Sequence, residues 1–216
     1  MFEQYDTPPH QVGIIDFTHG LNGPQEVATF FAPDALEQAV EFSDLLMLVA
    51  PPEDWLCRHQ NQLVKANACV VLSEQPADQS SLKTIQVKND GAYRNCVFDL
   101  IESINKPSLV GVDLMDLLTV ISKGENIHFY ESPYTDAAEI DESYLSTHFQ
   151  GIENLGEVKG IYIVASLSIE HANRMEDFET IIRFFDERIL TQPTVAYAAR
   201  FTIDEPGTRA SVLIVT

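Results

Sequence analysis

Two short apolar runs decide the architecture. Leu45 to Ala50 and Ala68 to Ser73 are almost free of polar residues, the pattern of strands covered on both faces. Between them, Pro52 to Ala66 is long enough for a helix. The same alternation fills the first half. Strands are predicted at Val12 to Phe17, Val27 to Ala32 and Lys83 to Val87. Pro33 opens a helix at a position where its missing N–H costs little, with Leu36, Ala39 and Val40 on the inner face. Ala92 to Ile104 forms another, with Tyr93, Val97, Leu100, Ile101 and Ile104 along one stripe. Strand–helix alternation of this kind specifies a mainly parallel α/β sheet. By itself it says nothing about chemistry.

The second half reads differently. Lys106-Pro107 ends the long helix, since the residue before proline disfavours helical geometry. A loop, Ser108 to Val112, leads to Asp113 and a helix from Leu114 to Ile121. A strand is predicted at Asn126 to Glu131, and Thr135 to Gly156 is acidic and weakly patterned, with room for one short helix. Gly160 to Leu167 is a strong strand. Met175 to Leu190 is a helix with Met175, Phe178, Ile181, Ile182, Phe185 and Ile189 on one face. Thr194 to Ile203 and Arg209 to Thr216 are expected to pair as a hairpin through Asp204-Glu205-Pro206-Gly207, a good turn sequence. The expected division is an α/β domain over 1–124 and a small α+β domain over 125–216, with the boundary near Glu125.

The chain has 216 residues and a formal charge of -20, from 33 acidic and 13 basic residues. Such a surface repels nucleic acid and anionic lipid, and no basic cluster relieves it. Self-assembly would work against the same repulsion, so salt or a divalent cation should promote it. No apolar run reaches the roughly 18 residues of a membrane helix. Met1 to His10 shows no leader pattern, so a cytoplasmic protein is expected, with neither nucleic acid nor membrane as partner.

Cys57, Cys69 and Cys96 form no C-x-x-C pair and are expected to be buried free thiols. The six histidines are scattered without zinc-type spacing. No G-x-S-x-G elbow is present. Neither metal nor cofactor is expected.

Two stretches carry a resemblance. Asn105-Lys106-Pro107-Ser108-Leu109-Val110-Gly111-Val112-Asp113-Leu114-Met115-Asp116-Leu117-Leu118-Thr119-Val120 is similar to R-P-G-L-(I/M)-N-(V/L)-D-F-A-D-V-(R/K)-T-V, which ends the central helix of the bacterial tubulin-like division protein FtsZ. Met175-Glu176-Asp177-Phe178-Glu179-Thr180-Ile181-Ile182 resembles that family's D-E-F-E-T-V helix. The two motifs stand in the family's order, and the resemblance extends from about Val27 to Thr216. It implies a truncated Rossmann-like GTPase-type domain of the FtsZ/tubulin superfamily with a small FtsZ C-terminal-type domain after it. Because the chain stops in its last strand, the family's C-terminal linker and recruiting peptide are not expected.

The departures bear on activity. The family holds GTP with a Gly-rich loop after its first strand and a G-G-G-T-G-T-G loop before a helix. Small residues let backbone N–H groups reach phosphate, and the helix N-terminus adds partial positive charge. Here the second loop reads Pro51-Pro52-Glu53-Asp54-Trp55. The prolines remove two donors. Glu53 and Asp54 would repel phosphate by roughly a few kcal/mol in a partly buried site. Trp55 adds bulk. The early turn, His19-Gly20-Leu21-Asn22-Gly23-Pro24, keeps two glycines but leaves no room for the family's first helix. No GTP site is expected. The family's catalytic loop carries N-x-D-x-x-D, inserted beside a neighbour's nucleotide. Gly111-x-Asp113-x-x-Asp116 keeps both carboxylates and replaces the Asn, so the resemblance implies the donor half of a shared site without the pocket half.

Each motif also has a plain reading. Asp113 and Asp116 suit the N-cap and first turn of a helix. Pro51 to Asp54 is a favourable helix start, although the end of a parallel sheet is where such folds bind ligands. Trp55 is a core or interface anchor, and His128 is structural. Glu131, Asp136, Glu139, Asp141 and Glu142 read as a solvated face without EF-hand spacing. Three functions are compatible with the residues. The favoured one is a non-GTPase interaction or regulatory protein of cell division or filament assembly, docking on FtsZ or on itself. The alternatives are a nucleotide-binding protein with a rebuilt pocket and a structural homo-oligomer unrelated to division.

Overall fold

The computed structural model describes residues 10–21, 27–75, 82–88, 90–106, 108–135, 140–152, 156–168, 175–189, 191–202 and 207–216. The chain forms two compact units. The first comprises Met1–Lys106 and Glu125–His128, the second Pro107–Gly124 and Phe129–Thr216.

In the first unit the elements are β1 (Val12–Asp16), β2 (Thr29–Phe31), α1 (Leu36–Phe42), β3 (Leu45–Val49), α2 (Glu53–Leu63), β4 (Cys69–Ser73), β5 (Lys83–Gln86) and α3 (Asp90–Asn105). The strands lie in the order β2-β1-β3-β4-β5, every pair parallel. The first residues of β6 (Ile127–Glu131) extend it, pairing parallel with β5. All five residues of β3 are buried, as its unbroken apolar run requires. Leu36 and Ala39 of α1 and Trp55, Leu56 and Leu63 of α2 pack with Ile15, Leu46, Leu48 and Val71 in one core. That packing explains why one face of each helix is apolar. Pro33–Ala35 is a single 3-10 turn before α1, and α2 stops at Leu63, short of the expected Ala66.

The last residue of α3 ties this unit together. Asn105 Oδ1 accepts from His10 N at 3.1 Å, and its Nδ2 donates to His10 O at 2.9 Å and Val27 O at 3.1 Å. One buried amide thus fixes the segments that enter β1 and β2.

The second unit contains α4 (Leu114–Ile121), the end of β6, α5 (Glu142–His148), β7 (Gly160–Ser168), α6 (Met175–Arg188), β8 (Thr194–Thr202) and β9 (Thr208–Val215). The expected hairpin is absent. β9 and β8 lie on opposite sides of β7, β8 parallel to it and β9 antiparallel. The reason is the nine-residue β7, buried throughout, which takes a strand on each edge. Helix α6 supplies the crossover that a parallel β7–β8 pair needs. Of the expected turn, residues 204–206 lie outside the described residues, and Gly207 has φ 88°.

Phe178, Ile181, Phe184, Phe185 and Ile189 enter the core with Leu145 and Phe149 of the α5 segment. Phe184 was not on the expected face; Met175, which was, is exposed. Leu117 and Val120 line the buried side of α4, and Gly160 lets it close on β7, since a Cβ there would lie 2.8 Å from Val120 O. This packing places 108–124 with the second unit, whereas the sequence boundary assigned it to the first.

Candidate functional site

In an open parallel sheet, ligands bind beyond the carboxyl ends of the strands where the strand order reverses. Here that point lies between β1 and β3, because β2 and β3 flank β1 on opposite sides. The chain places Phe17 to Leu21 and Ala50 to Trp55 there.

The turn after β3 begins with Ala50 in the left-handed region, φ 49°. Pro52 is the N-cap of α2 and has no side-chain capping bond; its carbonyl accepts from Trp55 N at 3.0 Å and Leu56 N at 3.1 Å. Pro51 and Pro52 offer no N–H to a ligand. Glu53 and Asp54 are exposed in the first turn, and Asp54 pairs with Arg58 at 2.8 Å in solvent. Exposure weakens the expected repulsion to about 1 kcal/mol or less per carboxylate. The missing donors weigh more, since a charge-assisted hydrogen bond is worth about 1.5–3 kcal/mol. Trp55 is 7% exposed. It meets Phe17 edge-on at 4.9 Å and stacks on His59 at 4.3 Å. It is a core anchor, buried with Ile15, Leu46, Leu48 and Leu56, and Phe17 packs against the same cluster.

The turn after β1 contains a residue the sequence reading missed. Asp16, the last residue of β1, accepts from Thr18 N at 2.9 Å and Thr18 Oγ1 at 2.7 Å through Oδ1, and from Leu21 N at 2.9 Å through Oδ2. Gly20 N donates to Thr18 Oγ1 at 3.2 Å. The signal was present as Asp16-Phe17-Thr18, with the spacing of an aspartate that bonds the amide two residues on. Asn22, Gly23 and Pro24 lie outside the described residues.

Gly111, Asp113 and Asp116 belong to the other unit. Their loop is stapled to β8: Leu109 N donates to Ala199 O at 2.8 Å and Ala199 N to Val110 O at 3.1 Å. Asp113 is the N-cap of α4 and forms a reciprocal capping box with Asp116. Both carboxylates are exposed, as are Leu109 (45%) and Met115 (64%) beside them. A Cβ on Gly111 would lie 3.4 Å from Ser108 Oγ, so a side chain fits there.

Other expectations change. Cys57 is exposed, Cys69 partly covered and Cys96 buried. Burial pushes the Cys69 thiol up to about 12. His128 is half-buried, and desolvation, then the Lys88 charge, lower its pKa. Glu131 is not part of a solvated face. It accepts from the buried Arg209 at 2.9 Å, and Tyr134 covers that guanidinium at 5.0 Å. Asp141 caps α5 and Glu142 holds Arg188 at 2.8 Å, while Asp136 and Glu139 lie outside the described residues. Among the described residues no group of three or more His, Cys, Asp or Glu is placed to hold a metal ion. No described helix is long and apolar enough to cross a membrane.

No protein-family model matches the chain, and no curated protein does. Solved structures do. An empty FtsZ dimer from M. jannaschii matches with a TM-score of 0.64 at 13% identity, over 96% of this chain and 88% of that one. A mutant FtsZ of the same organism matches at 0.60 and 11% identity, over 96% and 91%. TubZ of Bacillus thuringiensis serovar israelensis, in a GTPγS-form protofilament, matches at 0.56 and 9% identity, over 97% and 87%. The chain has the fold of FtsZ and TubZ.

Proposed function

We propose that this chain is a non-GTPase protein of FtsZ type that works by protein–protein contact in cell division or filament assembly, in the cytoplasm and without a cofactor. It docks on FtsZ or on a second copy of itself through the loop Gly111 to Asp116. The observation that carries the reading is the β3–α2 turn. Two prolines, two acids and a buried indole begin α2 at the carboxyl end of β3, which supports a turn short of the free amides that a phosphate needs. The solved relatives support the assembly side, since one is a dimer and another a protofilament. A subunit with the acidic loop but no nucleotide would engage one neighbour and fail to support the next, which suits a filament cap.

Two measurements test this. Calorimetry with GTP and GDP at millimolar concentration should show no heat of binding. Pelleting of FtsZ with and without the chain should show co-sedimentation or a change in polymer mass. Nucleotide binding by the intact chain would favour the rebuilt-pocket alternative. Indifference to FtsZ together with a stable oligomer of its own that survives alanine at both Asp113 and Asp116 would favour the structural homo-oligomer.

A further inference from the structure

We propose that the outer edge of β8 is a self-pairing strand: two copies of the chain join there, Val195 to Tyr197 of one lying antiparallel to the same residues of the other about a two-fold axis at Ala196. The inference goes beyond the loop docking proposed above and uses a different surface.

β8 is the last strand of the sheet and pairs with β7 on one side. Thr194 N donates to Lys159 O at 2.9 Å. The even-numbered residues therefore bond towards β7, and Val195, Tyr197, Ala199 and Phe201 turn their N–H and C=O groups outward. Ala199 is satisfied by Leu109 and Val110. Among the described residues no backbone group meets Val195 or Tyr197 on that edge. Their side chains are half-buried and lie with Ile182 at the border of the α5–α6 core. Edge strands are ordinarily guarded by a charge, a bulge or a proline. No charged residue lies between Thr194 and Ala199. Pro193 marks one limit of the unguarded stretch and the Leu109–Val110 staple the other.

That window decides the occupant. It runs from Thr194 to Ala198, and its middle residue is Ala196, which bonds inward. A two-fold axis there sets Val195 opposite Tyr197 of the second copy. Both residues face outward, so each pair exchanges N–H···O=C bonds in the two directions. A β-branched side chain then meets an aromatic one, a favourable cross-strand pair. Pro193 of the second copy falls opposite Ala199, so the pairing stops where the staple begins. A strand pair this short buries far less than the roughly 800 Å² per partner of a stable complex, and each copy carries a formal charge of -20. The dimer is therefore weak, and salt favours it by screening the repulsion.

The test is sedimentation equilibrium of the full chain at high micromolar concentration, in dilute and in concentrated sodium chloride. Wild type should show a monomer–dimer equilibrium that shifts to dimer with protein and with salt. Val195→Pro removes an outward N–H and no bond to β7, and it should weaken the dimer by about tenfold. Val195→Lys places a charge on the edge and carries the comparison should Val195→Pro not fold. Alanine at both Asp113 and Asp116 should leave the dimer unchanged. Register is read by oxidative cross-linking in a Cys57→Ser background, since Cys57 is exposed. Ala196→Cys should cross-link, because facing residues of this kind lie about 4.5 Å apart at Cα. Thr194→Cys should not, because its mate would lie about 14 Å away. A wild-type monomer under all conditions overturns the inference and leaves the loop reading standing. A dimer that survives both Val195 variants and is lost with the two aspartates does the same. Equal cross-linking at 194 and 196 overturns the proposed pairing. A dimer lost in the Val195 variants, from a chain that neither binds nor alters FtsZ, supports the inference and counts against docking on FtsZ.

Discussion

Asp113 and Asp116 each accept a hydrogen bond from the other's backbone amide, at 2.9 Å into Asp113 Oδ1 and 3.0 Å into Asp116 Oδ2. The pair therefore has a structural job whatever else it touches. Alanine at either position should cost about 1 kcal/mol, the usual loss for a cap. Asp113→Ser keeps a capping oxygen and removes the charge. It should unfold in urea within about 0.5 kcal/mol of wild type, since serine caps nearly as well. If the loop also docks on a partner, this variant should lose co-sedimentation with FtsZ at unchanged stability. Equal losses of binding in Asp113→Ser and Asp113→Ala, with only the second destabilised, would separate contact from capping.

Asn105 makes a stronger demand. Its amide bonds both backbone groups of His10 and the carbonyl of Val27. Asn105→Ala leaves those groups without a partner near the core, and each unsatisfied buried group costs about 1–3 kcal/mol. Asn105→Ala should lower the urea midpoint by the equivalent of about 2–4 kcal/mol, with an unchanged m-value. Asn105→Asp, which loses both donated bonds, should not rescue it. A loss under about 0.5 kcal/mol would show that water replaces the amide easily.

The parallel half of the fold was readable because its signals are local. Leu45 to Val49 is apolar at every position since both faces of that strand are covered. The β7–β8–β9 arrangement was not readable, because a turn sequence reports a reversal and not which strand lies in between. Glu131 looked like one more surface acid; its partner Arg209 is far away in sequence. Of the candidate site, the prolines and Trp55 declared themselves by type. Asp16 did not, since its role depends on the turn folding back over it. Gly111 to Asp116 was legible as a cap from spacing alone, and its membership of the second unit was not, because α4 is placed by packing on β7.

Two glycines test that packing from opposite directions. At Gly111 an added Cβ meets only Ser108 Oγ at 3.4 Å, and no unusual backbone angle is involved. Gly111→Asn, which recreates the N-x-D-x-x-D pattern, should change stability by less than about 0.5 kcal/mol, as a surface substitution does. At Gly160 a Cβ would press on Val120 O at 2.8 Å and Val120 Cγ1 at 3.1 Å. Gly160→Ala should destabilise by about 1–3 kcal/mol, as overpacking does. Paired thermal melts decide it. A tolerated Gly160→Ala would mean that α4 slides on β7 more easily than their contact suggests.

Alkaline pH gives a prediction whose sign can be worked out. Burial raises the Cys69 thiol from 9.0 to about 12. The Tyr197 phenol rises from 10.0 to about 12, through burial and then through its bond to Asp186 and that residue's charge. In the unfolded chain Cys69 releases its proton near pH 9 and Tyr197 near pH 10, while the folded chain keeps both until about 12. Between these limits the unfolded state binds fewer protons, so stability falls as pH rises. Their contribution is fully present below pH 9 and is lost toward pH 12. One group sets a limiting slope of about 1.4 kcal/mol per pH unit. Cys69, packed against the α1–α2 core, should dominate, because the more exposed Tyr197 is screened by solvent. Urea unfolding at stepped pH above 8 should show the decline in wild type and a flatter curve in Cys69→Ala. Tyr197→Phe should flatten it less. Superimposable wild-type and Cys69→Ala curves would mean that the thiol is not desolvated in the folded chain.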